Sequence, residues 1–285
     1  MGILLDGKGL AEERRVALST RVATFIEKHG RGPCLSVVLV GDDSASALYV
    51  RNKVRMAERV GMLSRVERLA ADASQEEVLS TVEELNGSAD VDGLIVQLPL
   101  PEGLDPEEII ASISPSKDVD GLTPVNLGRI VRGLAGPRPC TPKGVLALLK
   151  HYGINCAGKQ AVVVGRSALV GKPMALMLVQ EDATVTLCHS KTRDLNRILK
   201  DADIVVAAIG RPAFLDPESF KPGVVIVDVG ISRVNDLWVG DVSKQGLSEV
   251  ASAWTPVPGG VGPMTVISLL ENTVQLAEDK KQLEP

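Results

Sequence analysis

Residues 160–173, Gln-Ala-Val-Val-Val-Gly-Arg-Ser-Ala-Leu-Val-Gly-Lys-Pro, constrain this chain more than any other stretch. An apolar run stops at Gly165, the polar turn Arg166-Ser167 follows, and after Gly171 a second apolar run opens at Met174. That order predicts a buried strand, a tight turn and a helix start. At such a junction free helix N–H groups favour an anion, and a nucleotide phosphate is the natural guest. The stretch is not Gly-x-Gly-x-x-Gly. It also misses the P-loop pattern, because five residues separate Gly165 from Gly171 and Pro173 stands where a magnesium-binding hydroxyl is required. A plain strand-to-helix turn stays open on these residues alone.

The surroundings narrow the choice. After the opening stretch, β-branched runs recur at 184–188, 204–209 and 224–229, with helical segments near 172–180 and 194–200 between the first three. Strand, helix, strand at this pitch predicts a doubly wound parallel sheet of the Rossmann type. The first half alternates in the same way. Helical recurrence covers 9–29, strands are expected at 35–40, 64–69 and 93–97, and helices at about 74–85 and from a Ser44 or Ser46 cap to Val60. His29 then sits in a last turn, where the helix dipole favours a cation. The Gly- and Pro-rich stretch 133–142 reads as a linker, with Thr141-Pro142 as N-cap and first turn of a helix through His151. At 285 residues, two α/β domains are expected.

Composition removes several function classes. Aromatics make up 2% and the net charge is −5, so neither stacking platforms nor a basic face for nucleic acid is expected. Cys34, Cys140, Cys156 and Cys188 are scattered, and with His29, His151 and His189 they assemble no zinc spacing, so no metal is expected. Asp118 and Asp120 before Gly121 lack the calcium-loop ligand ladder. The opening residues lack the basic start and apolar core of a signal peptide, and no run reaches membrane-spanning length. A soluble cytoplasmic protein with no membrane partner is expected.

The cofactor is narrowed by charge. An NAD site carries an acid near the end of the second strand, for the ribose hydroxyls. Here that strand ends His189-Ser190-Lys191-Thr192-Arg193, and Arg166 adds a base in the first turn. A carboxylate would repel an extra phosphate, whereas Arg166 and Ser190 would bind it, so NADP is expected. Asp228-Val229-Gly230-Ile231 ends a later strand at the same sheet edge.

Candidate chemistry lies elsewhere. Tyr49 and Lys53 are four apart and share a helix face, which an exposed lysine beside a half-buried tyrosine would also satisfy. Gln97-Leu98-Pro99 follows an apolar strand, so Gln97 stands at a strand's carboxyl end, where open α/β sheets bind ligands; an amide serving loop backbone is the alternative. In 256–265, Gly259, Gly260 and Gly262 among prolines let backbone approach a ligand closely while the loop stays stiff.

Six motifs in order resemble the bifunctional methylenetetrahydrofolate dehydrogenase/cyclohydrolase family over nearly the whole chain. They are 41–53, Val96-Gln97-Leu98-Pro99-Leu100-Pro101, Lys117-Asp118-Val119-Asp120-Gly121, Pro139-Cys140-Thr141-Pro142, Gly165-Arg166-Ser167 with Val170-Gly171-Lys172-Pro173, and 258–265. The resemblance implies NADP-dependent oxidation of methylenetetrahydrofolate and hydrolysis of the methenyl product to 10-formyltetrahydrofolate. It implies a folate-binding catalytic domain over 1–140 with a last helix, 264–285, packed back on it, an NADP domain over 141–263, and an active-site cleft between them. It also implies a homodimer through the NADP domain. Lys53 becomes the central catalytic residue with Tyr49, Gln97 and Asp120. The substrate site takes in these four with Val96, Leu98, Pro258, Gly259, Gly260, Val261 and Gly262, and Gly165, Arg166, Ser167, Ser190 and Ile231 hold the cofactor. Hydride loss leaves a cationic amidinium that would repel a protonated lysine. A neutral Lys53, discharged by partial desolvation and held by Gln97, would handle the proton of an attacking water, as base or as positioner. Asp120 would accept two hydrogen bonds from the pterin. An NADP dehydrogenase of another small substrate, or a non-catalytic NADP-sensing module, are the competing readings.

Overall fold

The computed structural model describes residues 2–283, which form two compact units. One takes the chain up to Glu12 together with Thr141–Thr265; the other takes Glu13–Cys140 and the chain from Val266 on. In chain order the first elements are β1 (Ile3–Leu4), α1 (Gly7–His29), β2 (Cys34–Val40), α2 (Ser44–Arg59), β3 (Leu63–Leu69), α3 (Gln75–Gly87), β4 (Gly93–Val96), α4 (Pro106–Ser112) and α5 (Pro124–Val131). Then follow α6 (Cys140–His151), β5 (Gln160–Val164), α7 (Gly171–Gln180), β6 (Thr184–Cys188), α8 (Leu195–Lys200), β7 (Ile204–Ala207) and β8 (Val224–Asp228). A hairpin of β9 (Ser232–Val234) and β10 (Leu237–Val239), then α9 (Leu247–Val250), β11 (Ala251–Trp254) and α10 (Val261–Leu283) complete the chain.

The unit containing Glu13–Cys140 is built on a parallel three-stranded sheet of order β3-β2-β4. Central β2, Cys-Leu-Ser-Val-Val-Leu-Val, is buried at every residue, as a parallel strand covered on both faces must be. Val38, Val40, Val78, Val82, Leu94, Val96 and Ile109 form its core. Ser74 and Glu77 close a capping box that starts α3. The start of α2 differs from expectation: Asp43, not Ser44 or Ser46, is the N-cap, and its carboxylate accepts the Ser46 N–H at 2.7 Å. An ionised oxygen at a helix N-terminus adds a dipole interaction that a hydroxyl lacks. Within this unit Glu271 accepts two bonds from Arg14, at 2.7 and 3.0 Å, and Glu278 pairs with Arg21, tying α10 to α1.

The six-stranded unit is a parallel sheet of order β6-β5-β7-β8-β11-β1. The chain passes from β5 outward to β6 and then returns across to β7, so the strand order reverses between β5 and β7. That switch point is where doubly wound sheets bind ligands. The chain's start corrects the expected 1–140 domain. Ile3 pairs with Ala253 and Leu4 with Trp254, the Leu5 N–H donates to the Trp254 carbonyl at 2.8 Å, and Leu5 is fully buried. Two residues carry no period of their own, so only an existing sheet edge could reveal them as a strand. Two helix starts are corrected as well. The last helix begins at Val261 rather than at residue 264, and α6 begins at Cys140, so Thr141 is helical instead of capping; its hydroxyl lies 3.0 Å from that of Thr265. His29 does lie in the last turn of α1. Among the described residues no helix is long and apolar enough to cross a membrane.

Candidate active site

In the three-stranded unit, α2 and β4 converge on one polar pair. The Gln97 N–H donates to the Val38 carbonyl at 2.9 Å, carrying the β4 ladder one residue past Val96 and fixing Gln97 at the strand's carboxyl end. Its side chain is 9% exposed. Lys53 Nζ donates to Gln97 Oε1 at 3.0 Å, and Gln97 Nε2 donates to the Leu98 carbonyl at 2.5 Å. The Gln97 amide is thereby locked with its oxygen toward the lysine. Tyr49, one turn before Lys53, is 45% exposed and leaves its ring open to a ligand. Val96 is 3% exposed and its side chain belongs to the core, so backbone is what it offers.

Asp120 belongs to the same locality. Burial pushes its carboxyl above the usual range, the Lys53 charge pulls it down, Asp118 adds to the rise, and a hydrogen bond with the Cys140 thiol lowers it. The loop carrying Asp120 is built by neighbours that spacing did not single out. Asp118 accepts the Leu122 and Thr123 N–H groups at 3.2 and 2.8 Å and the Asn126 amide at 2.8 Å. Asn272, buried on α10, donates to the carbonyls of Val119 and Arg138, both at 2.8 Å. Cys140 donates to the Val119 carbonyl at 3.3 Å. Lys117, 8% exposed, gives its ammonium to the carbonyls of Leu85, Asn86 and Ser88 at the end of α3.

In the six-stranded unit the expected cofactor residues gather at the switch point. Gly165 N–H donates to the Cys188 carbonyl at 2.9 Å. At its φ of +128° a Cβ would stand 2.0 Å from the Ala208 oxygen, and a Cβ on Gly171 would stand 2.0 Å from the Gly165 oxygen. Only glycine permits those two approaches. The free helix amides expected here are not free. The Ser167 hydroxyl accepts the Val170 and Gly171 N–H groups at 3.2 and 3.3 Å, its carbonyl accepts that of Lys172 at 3.0 Å, and Pro173 has none. Ser167 therefore takes up the N–H groups of Val170, the N-cap of α7, and of Gly171, so an anion would be met by side chains and the turn ahead of the helix. Arg166, Ser190, Lys191 and Arg193 are all exposed. β5 and β6 pair in register from Gln160↔Thr184 to Val164↔Cys188, which puts Arg166 and Ser190 beyond the same strand ends. Thr192 Oγ1 accepts the His189 N–H at 2.8 Å and closes the turn that displays Ser190. Ile231, 45% exposed, follows β8 at this edge. This donor set, with no acid from 189 to 193, fits an extra phosphate on a dinucleotide.

The glycine-rich loop also lies in the six-stranded unit. Gly259 has φ +107° and its carbonyl accepts the Lys8 N–H at 2.8 Å. A Cβ on Gly260 would meet the Pro256 oxygen at 2.6 Å. Gly262 has nothing within 4 Å of a Cβ, Pro258 is exposed, and Val261 is buried. All four cysteines are buried and outside any disulfide, and burial raises the thiols of Cys34, Cys156 and Cys188. Among the described residues no group of His, Cys, Asp or Glu could hold a metal ion.

Comparison with known proteins finds one family over both halves of the chain. Residues 5–120 match the profile "Tetrahydrofolate dehydrogenase/cyclohydrolase, catalytic domain", and residues 139–281 match "Tetrahydrofolate dehydrogenase/cyclohydrolase, NAD(P)-binding domain". The Bifunctional protein FolD of Methanospirillum hungatei is 49% identical over 278 residues, 98% of each chain. The solved FolD methylenetetrahydrofolate dehydrogenase/cyclohydrolase of Campylobacter jejuni superimposes with a TM-score of 0.96 at 44% identity, covering 98% of this chain and 100% of that one. That of Trypanosoma brucei, solved with NADP cofactor and an inhibitor, gives 0.95 at 36% identity over 99% of each. Profiles on both halves, and a relative this similar from end to end, make the chain a member of the tetrahydrofolate dehydrogenase/cyclohydrolase family.

Proposed function

We propose that this protein oxidises 5,10-methylenetetrahydrofolate to 5,10-methenyltetrahydrofolate with NADP, and hydrolyses the product to 10-formyltetrahydrofolate. The observation that carries the reading is the locked Lys53–Gln97 pair, held at the carboxyl end of β4. Bound NADP supplies the hydride acceptor. Arg166 and Ser190 would hold its extra phosphate, Gly165 lets the turn close against Ala208, and Ile231 would lie against it.

The folate is held by Asp120, whose carboxylate accepts the pterin ring amide and exocyclic amine. Tyr49 lies along it, with the backbone of Val96 and Leu98 beside it. Donor hydrogens on Asp120 favour its ionised form and offset the burial that pushes it up. Once the amidinium has formed, water adds to its carbon. Lys53 gives one N–H to Gln97, and its nitrogen is placed to handle the proton of that water. The C–O bond forms as one proton of the water passes toward Nζ; the adduct then collapses to the formyl C=O as its bond to the ring nitrogen N5 breaks and that nitrogen takes up the hydroxyl proton. Gln97 acts by fixing where the amine points.

The same reading takes the protein to be a cytoplasmic homodimer joined through the six-stranded unit. In support, the β9–β10 hairpin exposes Val234, Leu237 and Trp238, with Leu237 at 69%. The test is direct. Purified protein with methylenetetrahydrofolate and NADP must give NADPH and methenyl absorbance together, and methenyl absorbance must decay in the enzyme's presence without nucleotide. Absence of turnover with either nicotinamide cofactor rejects the dehydrogenase.

A further inference from the structure

Two buried carboxylates stand behind the dinucleotide edge, and nothing above uses them. Asp241 is fully buried and accepts three consecutive backbone N–H groups: Ile209 at 2.6 Å, Gly210 at 3.0 Å and Arg211 at 2.8 Å. Asp228, 5% exposed, accepts three more, from Gly230 at 3.0 Å and from Asp241 and Val242 at 2.9 Å each. The side chains press on backbone that has no room for Cβ atoms. One on Gly230 would lie 2.2 Å from the Asp241 carboxyl, and one on Gly240 would lie 2.0 Å from Asp228 Oδ2.

A pair of buried acids is costly, and a short loop can be held by hydrophobic packing instead. What distinguishes this pair is where its bonds end. Residues 209–211 continue β7 directly after Ala208, the residue against which Gly165 packs at the switch point. Gly230 immediately precedes Ile231. Thus four N–H groups from the two loops flanking the nucleotide turn, those of Ile209, Gly210, Arg211 and Gly230, point inward to the two carboxylates, and the N–H groups of Asp241 and Val242 tie Asp228 to the backbone that carries its partner. A carboxylate accepting several N–H bonds fixes loop direction more firmly than neutral partners do, because such bonds are short and strong.

We propose that Asp241 and Asp228 are positioning residues for the nucleotide. Asp241 sets the 209–211 loop against the first turn, and Asp228 sets Gly230 and Ile231 and holds the 241–242 backbone. This inference rests on the dinucleotide assignment above. It predicts that the two acids control nucleotide affinity without touching the nucleotide.

Asp241→Asn and Asp228→Asn test it by calorimetric titration with NADP, which needs no folate. Asp241→Asn turns an N–H toward donors that require an acceptor, and the expected rise in Kd is at least about tenfold, an unmade hydrogen bond being worth about 1–3 kcal/mol. Asp228→Asn makes the same exchange, but only Gly230 among its three donors borders the nucleotide edge, so a smaller rise of several-fold is expected. Both tryptophans, Trp238 and Trp254, belong to the six-stranded unit, so a cooperative thermal transition in their emission reports that this unit is folded. With dehydrogenase assayed in parallel, KM for NADP should rise more than kcat falls. A folded Asp241→Asn protein with wild-type NADP affinity overturns the proposal. So does a kcat loss in either variant with KM for NADP unchanged. If Asp241→Asn does not fold, Asp228→Asn decides by the same criteria. A wild-type protein that binds NADP but leaves methylenetetrahydrofolate unreacted rejects the folate assignment and spares this one. Failure to bind NADP at all removes both.

Discussion

If Lys53 and Gln97 form one device, removing both should cost no more than removing the lysine. Lys53→Met keeps the stem and deletes the amine; Gln97→Leu deletes the oxygen 3.0 Å from it and the donor to the Leu98 carbonyl. Loss of a positioned acid–base group typically costs about 10²–10⁴-fold in rate. The Gln97 bond is worth about 1–3 kcal/mol to an amine it orients, so Gln97→Leu alone should slow hydrolysis roughly 5- to 150-fold. Stability should respond in the other order. Lys53 is only half-buried, so Lys53→Met should stay within about 0.5 kcal/mol of wild type. Gln97→Leu leaves the Leu98 carbonyl without its donor and should lower Tm by about 2–4 °C, corresponding to about 1 kcal/mol. The assay is the decay of methenyl absorbance without nucleotide, measured for wild type, both single variants and the double. The double variant should match Lys53→Met, since an amide with no amine to orient has nothing left to contribute. A double variant slowed by the full product of the two single effects would show independent roles and refute the pair.

Further outcomes follow from the other elements. Arg166→Ala should raise KM for NADP about 10- to 100-fold while leaving that for NAD nearly unchanged, because only NADP carries the phosphate the guanidinium meets; equal losses with both nucleotides would place the phosphate elsewhere. Gly165→Ala must move a Cβ off the Ala208 oxygen, 2.0 Å away, and adopt a φ of +128°, so the tryptophan-reported transition should fall by at least about 2 kcal/mol, and an unchanged transition would contradict the close approach. Burial raises the Asp228 carboxyl from 3.8 to about 6. A raised carboxyl contributes stability that is full below pH 3.8 and is lost as pH rises through about 6, here about 3 kcal/mol at most. The stability of Asp228→Asn relative to wild type should therefore improve across that window, and a difference independent of pH would show that Asp228 titrates normally.

Much of the site was legible because its residues are local. Tyr49 and Lys53 share a helix turn, Gly165 to Gly171 span one strand-to-helix junction, and the acid-free segment after Cys188 is a property of five consecutive residues. The functional residues that escaped notice act across distance. Asn272 reaches Val119 from 153 residues away, and Asp241 reaches Ile209 from 32. Their type alone carried no hint, since Asn and Asp are ordinary surface and turn residues. Ser167 shows the same limit at short range. Its position reads as a cofactor contact, and only coordinates reveal that its hydroxyl already accepts the Val170 and Gly171 N–H groups.

The same division holds for the fold. The alternation of apolar runs with helical periods, the strand ends at Gly41, Gln97 and Gly165, and the charge pattern that favours NADP were determined by the sequence itself, because each depends on neighbours within a few residues. Tertiary structure alone decided that Ile3–Leu4 joins the far edge of the six-stranded sheet, that Asp43 caps α2, and that Lys53 points its amine at Gln97. Those outcomes depend on which groups meet once the chain has closed, and a linear pattern does not encode the partner.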